Sequence, residues 1–233
     1  QQASVFAGGF LLDAAAAVTG LNDFEALDIL DSLVRKSLVH VDRTGDEVRY
    51  FMLETIRQFA EEELAASGES IEARRRHSEY FADRSDVAFA MFHSEHERLA
   101  YLFVDSEIAN LAAAFRWALS DELVDPAVRI AAHTHQVARR RLRTETFTWP
   151  EQALDLGHRS EHQRLPDLLT AACDAAQGLG RLDDAVEHGL AAVALNEDAR
   201  YDTAVHAYWQ TGQALGDRGD FEAGIRLMRV GAE

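Results

Sequence analysis

The chain has 233 residues, 47% of them hydrophobic, with a formal net charge of −17 and a single cysteine. That length supplies core enough for one large domain or two small ones. A lone cysteine forms no internal disulfide and fits a reducing compartment, and no apolar run approaches the roughly 18 residues needed to cross a bilayer. The expectation is therefore a cytoplasmic protein with no membrane partner.

Gln1 to Phe10 carries no basic start or apolar core of a signal peptide and reads as an already running domain, so the chain is expected to be a fragment of a longer polypeptide. The paired glycines of Ala7-Gly8-Gly9-Phe10 break any helix there. Asp13 to Val18 predicts a short alanine-rich helix stopped by Gly20. Asn22 or Asp23 can cap the next helix, whose apolar stripe is Phe24, Leu27, Leu30, Leu33 and Val34. Two β-prone runs follow, Leu38-Val39-His40-Val41 and Val48-Arg49-Tyr50-Phe51. Between them Arg43-Thr44-Gly45-Asp46-Glu47 has the composition of a hairpin loop. Two short helices and a hairpin make a winged helix.

A DNA-reading winged helix presents a polar, basic second helix to the major groove. Here that helix carries Asp23, Glu25, Asp28 and Asp31. The basic candidates for DNA contact are Arg35 and Lys36, at the helix end where they offset its dipole, and Arg43 and Arg49 of the wing. Because Lys36 is the only lysine, and because duplex binding needs clustered cations, direct nucleic-acid binding is disfavoured. A DNA-binding winged helix with helical dimerisation repeats is the alternative reading.

From Leu53 the helical pattern resumes with Ile56, Phe59, Ala60 and Leu64, closed by Gly68. A long helix is predicted over 70–92, bearing Arg74-Arg75-Arg76, which an antiparallel pairing would bring to Glu61-Glu62-Glu63. Another helix carries Ile108, Leu111, Ala112, Phe115 and Leu119, and Asp125-Pro126 opens a further one. Downstream an internal repeat emerges: Gln177-Gly178-Leu179-Gly180-Arg181-Leu182-Asp183-Asp184-Ala185 recurs loosely over residues 213–223, with either glycine as the point of alignment. This resembles the tetratricopeptide pattern. Thr146 to Leu154 is a candidate for an earlier, degenerate turn. The fold class expected is mainly α, a winged helix with a small β-hairpin followed by a tetratricopeptide-like helical superhelix. The expected divisions are 1–60, 61–122 and 123–233.

Four phrases in order, Ser4-Val5-Phe6-Ala7-Gly8-Gly9-Phe10, Leu33-Val34-Arg35-Lys36-Ser37-Leu38-Val39, Met52-Leu53-Glu54-Thr55-Ile56-Arg57-Gln58-Phe59-Ala60, and Glu107-Ile108-Ala109-Asn110-Leu111 through Trp117-Ala118-Leu119, resemble the middle of bacterial STAND-type regulators related to NB-ARC proteins. The resemblance implies an upstream nucleotide-binding domain in cis, ATP or ADP in the full-length protein, and repeats that take a protein partner or small inducer. Met52, Leu53 and Glu54 are the nucleotide-proximal candidates it implies. Many relatives have Met-His-Asp there, and Leu53 cannot replace a hydrogen-bonding histidine. Glu54 reads instead as a carboxylate capping a helix N-terminus, and the wing is expected to pack against protein.

The chain contains no phosphate loop, since Lys36-Ser37 lacks the glycines that expose backbone N–H groups. No catalytic residue, cofactor or metal is expected in this fragment. His93 and His96 can share a helix face, but His133 and His135 point about 200° apart and have no third ligand at a recognisable spacing. Cys173 reads as a buried thiol, and Trp117, Trp149 and Trp209 as helix-packing residues.

Overall fold

The computed structural model describes residues 1–45, 47–196 and 204–232. Asp46 of the expected hairpin loop and the terminal Glu233 lie outside the described residues. The elements are α1 (Leu12–Thr19), α2 (Asp23–Arg35), β1 (Val39–Asp42), β2 (Arg49–Met52), α3 (Glu54–Ser67), α4 (Ser70–Phe92), α5 (Glu97–Ser120), α6 (Val124–Arg140), α7 (Trp149–Arg159), α8 (Leu165–Gly178), α9 (Leu182–Asn196), α10 (Ala204–Arg218) and α11 (Phe221–Val230). Packing divides the chain into two compact units: residues 1–84 with 106–123, and residues 85–105 with 124–233. Two of the three boundaries fall inside α4 and α5, in the stretch 61–122 that the sequence sets apart as a linking bundle, and the third falls at the start of α6.

In the first unit, Gly20 ends α1 in the left-handed region (φ 70°), and its N–H bonds back to Ala16 O at 2.9 Å. A side chain would resist that conformation. Asn22 then opens α2 with a full capping box: its side chain accepts from Glu25 N at 3.0 Å, and Glu25 accepts from Asn22 N at 3.2 Å. Two of the orphan N–H groups at the helix start are thereby satisfied. Asn22→Ala is expected to cost about 1 kcal/mol and to lower the urea midpoint with unchanged slope; an unmoved midpoint would remove the box from the stability of this unit.

The hairpin is antiparallel, with Val39 facing Met52 and Asp42 facing Arg49. Phe10 adds a one-residue third strand to it, exchanging hydrogen bonds of 2.9 and 2.8 Å with Tyr50. Phe6, Phe10, Val18, Leu64, Phe81 and Leu111 are fully buried here. Phe6 stacks on Phe10 with ring centroids 4.4 Å apart. His77 lies amid Phe6, Phe81 and Trp117, at 5.2, 4.7 and 5.2 Å between ring centroids. The expected meeting of α3 and α4 charges is made by Arg74 and Glu61 at 3.6 Å. Arg75 and Arg76 instead pair with Glu72 along α4 itself.

The second unit is built of helix pairs. The turns after α8 and α10 have the same local geometry. Gly180 (φ 75°) and Gly219 (φ 106°) occupy the left-handed position, and the following residues, Arg181 and Asp220, donate back to Ala176 O and Leu215 O at 2.9 and 2.8 Å. That is the Schellman closure, so the second glycine of the first copy is the point of alignment. Cys173, Ala176, Ala185, Val186, Ala214 and Leu215 form a shared core cluster against which Leu227 packs. Burial pushes the Cys173 thiol up to about 12, which keeps it protonated and inert. Trp149 is buried as expected, whereas Trp209 is 54% exposed on α10.

α6 buries a polar run. His133 Nδ1 is 2.6 Å from Asp86 Oδ1, its Nε2 is 3.6 Å from Asp167 Oδ2, and its ring stacks on Phe89 at 4.4 Å. Burial alone would depress this imidazole, but the facing carboxylates of Asp167 and Asp86 outweigh it and raise its pKa. His135 Nδ1 is 3.2 Å from Thr146 O, and its Nε2 is 3.4 Å from Asp174, which also pairs with Arg139. Among the described residues no group of three or more His, Cys, Asp or Glu could hold a metal, and no helix is long and apolar enough to cross a membrane.

Candidate nucleic-acid interface

The helix-turn-helix consists of α1, the turn Gly20-Leu21-Asn22, and α2. Ala26 and Leu30 are the buried anchors of α2. Its outer surface is acidic and apolar, with Asp23, Glu25, Asp28 and Asp31 exposed beside Phe24 at 83%, Leu27 at 43% and Ile29 at 49% exposure. Cations collect only at its far end. Arg35 is exposed and pairs with Asp31 at 2.7 Å, an exposed pair that water screens strongly. Lys36 is the exposed C-cap of α2. Ser37 turns the chain at φ 57° and directs it into β1.

The wing splits its two arginines between different tasks. Arg43 is exposed in the loop after β1. At the end of β1 Asp42 accepts from the hydroxyl and backbone N–H of Thr44 at 2.7 and 2.8 Å, bonds that lower its pKa. Arg49, expected as a fourth DNA contact, faces inward. Its Nη1 pairs with Glu107 Oε1 at 2.6 Å and its Nη2 donates to Gly9 O at 2.7 Å. Glu107 is so buried that its pKa is raised even with Arg49 and Asn110 beside it. Arg49 is therefore a structural clamp, and the DNA-contact candidates reduce to Arg35, Lys36 and Arg43.

Sequence reasoning assigned no role to Asn110, which joins these parts. Its Oδ1 accepts from Ala7 N at 2.9 Å and Gly8 N at 3.2 Å, while its Nδ2 donates to Gly9 O at 2.9 Å and Glu107 Oε2 at 2.7 Å. One buried amide thus satisfies the strand-like backbone before Phe10, which has no ladder of its own. The signal was present in the sequence: Glu107 and Asn110 are polar residues on the same apolar helix face as Leu111, and buried polar groups need partners.

Met52, Leu53 and Glu54 lie where β2 passes into α3. Met52 is half-buried in the ladder opposite Val39, and Leu53 is the N-cap residue, 52% exposed and making no side-chain cap bond. Glu54 does not cap the helix either. Its carboxylate accepts from Arg57 at 2.6 and 2.8 Å and from Gln58 at 2.9 Å, and the Arg57 bonds chiefly hold its pKa down to about 2. The first-turn carboxylate is thus engaged along its own helix, because an arginine three residues on is within easy reach.

Residues 2–65 match a protein family described as a winged helix-turn-helix domain. Over 179 residues, 75% of this chain, the sequence is 35% identical to a protein of Mycobacterium bovis named "Putative HTH-type transcriptional regulator" and to its counterpart in Mycobacterium tuberculosis H37Rv. A shorter match, 36% over 92 residues and 37% of the chain, is to an uncharacterised Mycobacterium bovis protein and covers 23% of it. The chain spans only 19% of the length of the regulators it matches. No solved structure matches it. These findings overturn the expectation that direct nucleic-acid binding is disfavoured, since a winged helix-turn-helix and relatives so named point toward DNA. That expectation rested on the carboxylates along α2 and on the lack of clustered cations, whereas phosphate contact can be made by a few exposed cations such as Lys36 and Arg43. The elements from the 3-10 turn at Gln2–Val5 through α3 are a winged helix-turn-helix domain.

Proposed function

We propose that this chain is the regulatory segment of a transcriptional regulator and that its winged helix-turn-helix contacts DNA through phosphates, using Arg35, Lys36 and Arg43. The observation that carries the reading is the match of residues 2–65 to this domain, together with the exposure of all three cations between the end of α2 and the wing. Carboxylates over the first turns of α2 disfavour deep insertion of its N-terminal half into a groove, so affinity would come from backbone contacts with little base readout. Binding of a labelled duplex is expected at low salt and to fall with log salt at a slope of about −2 to −3 for two or three phosphates. Lys36→Ala with Arg43→Ala should flatten that slope by about 2. Salt-insensitive binding, or none at all, would sink the reading.

A second reading is favoured by the Arg49–Glu107–Asn110 clamp, which ties the wing into its own unit. In this reading the segment is a non-catalytic, cytoplasmic coupling module of a STAND-type protein. It would pass the state of an upstream ATP- or ADP-binding domain to tetratricopeptide-like repeats that take a protein partner or inducer. Protease protection of this segment within the whole protein would then change between ATP and ADP; identical digestion in both would count against it.

A further inference from the structure

The outward stripe of α2 joins an exposed aromatic ring to carboxylates. Phe24, Asp28, Asp31 and Arg35 follow one another at i, i+4, i+7 and i+11, on the side away from the buried Ala26 and Leu30. Phe24 is 83% exposed, and Leu27, three residues on, is 43% exposed beside it. A large aromatic ring held in water on a rigid, fully capped helix is the composition of an interface anchor. Its surroundings carry one sign of charge: Asp23, Glu25, Asp28 and Asp31 rim it. Asp31 pairs with Arg35, whereas Asp23 and Asp28 have no ion pair among the described residues.

We infer that the N-terminal half of α2, centred on Phe24, is a docking surface for a basic amphipathic helix of a protein partner. The charge decides the class of partner: phosphates would meet three aspartates and a glutamate, whereas a stripe of Leu flanked by Lys or Arg satisfies both the ring and its rim. The backbone of α2 is consumed by its own hydrogen bonds and by the Asn22–Glu25 box. Recognition therefore falls to side-chain ridges, which suits helix-on-helix packing and not strand addition. Arg35, at the far end of this stripe, belongs to the proposed DNA contacts with Lys36 and Arg43, so the domain can engage two ligands of opposite charge, one on the N-terminal half of α2 and one between its C-terminal end and the wing.

The test uses the whole 233-residue chain and a fluorescent synthetic peptide of Leu and Lys at helical spacing, roughly 18 residues or five turns long. A scrambled peptide of equal composition and a labelled DNA duplex serve as comparators, all at about 0.15 M salt. The amphipathic peptide should bind about tenfold more tightly than the scrambled one. Phe24→Ala should cost about tenfold, as truncation of an anchor does, with an unchanged circular dichroism spectrum because the ring packs no core. Asp23→Asn with Asp28→Asn should weaken binding and flatten its salt dependence, and Lys36→Ala with Arg43→Ala should leave it unchanged. Equal binding of both peptides, or no effect of Phe24→Ala, would overturn the inference. So would loss of duplex binding, not peptide binding, in Phe24→Ala, or self-association of the chain through Phe24.

Discussion

Asn110→Ala is expected to destabilise the first unit by about 3 kcal/mol, read as a fall in the urea midpoint of a probe in that unit. The side chain is 1% exposed and makes four hydrogen bonds, three of them to the backbone of Ala7, Gly8 and Gly9. Truncation leaves two part-buried N–H donors without that partner and removes one of the two donors to Gly9 O, which keeps Arg49; a buried polar group left wholly unpaired costs about 1–3 kcal/mol, partly relieved by relaxation. Asn110→Asp separates the contributions. A carboxylate still accepts from both N–H groups, but it cannot donate to Gly9 O and it faces Glu107. It should therefore also destabilise, and more so at neutral pH than where Glu107 is protonated. An Asn110→Ala protein as stable as the parent would show that the glycine segment satisfies itself.

His77→Leu should stabilise the first unit in acid, in an amount that grows as pH falls. His77 is fully buried, neither ring nitrogen has a hydrogen-bond partner among the described residues, and burial depresses its pKa from 6.5 to about 3. The folded-state pKa is the lower one, so between these values the unfolded chain takes up a proton that the folded chain refuses. Stability then falls with decreasing pH by up to about 1.4 kcal/mol per pH unit. Leucine removes this term along with an unsatisfied ring, so the gap between variant and parent should open below pH 6.5 and level off near pH 3. His133 has the opposite sign. Its pKa is raised by Asp86 and Asp167, so its contribution is present below its unfolded value and fades as pH rises through the folded one. A probe in each unit should therefore show opposite histidine contributions; a gap at His77 that did not vary with pH would refute the buried-neutral reading.

Local patterns were legible wherever the chemistry was local. The cap at Asn22, the stop at Gly20, the hairpin strands and the full span of α4 followed from residue type and period. The stripe of α5 is legible only from Ile108 onward, although the helix starts at Glu97, because its first turns carry Arg98, Tyr101 and Asp105 among their apolar residues and blur it. What stayed hidden was long-range polar pairing. Arg49 looked like a wing cation because nothing beside it in sequence announces Glu107, and Asn110 looked like a helix residue because Gly9 lies so far back in the chain. Charge posed the converse problem: the cations at the end of α2 are legible in the sequence, but the four carboxylates before them outweigh them in any count by residue type.

The clamp also bears on how this domain can be obtained and how it forms. The family match ends at residue 65, yet the groups that hold Ala7, Gly8, Gly9 and Arg49 in place belong to α5, beginning with Glu107. A polypeptide cut at the boundary that sequence comparison recognises would strand the Arg49 guanidinium and the N–H groups of Ala7 and Gly8. The unit of recognition is thus smaller than the unit of cooperative folding. Because the closing bonds span 101–103 residues, loop-closure entropy places them after the hairpin and helices have formed. The N-terminal strand segment is accordingly expected to be the last part of the winged helix to acquire hydrogen-exchange protection during refolding.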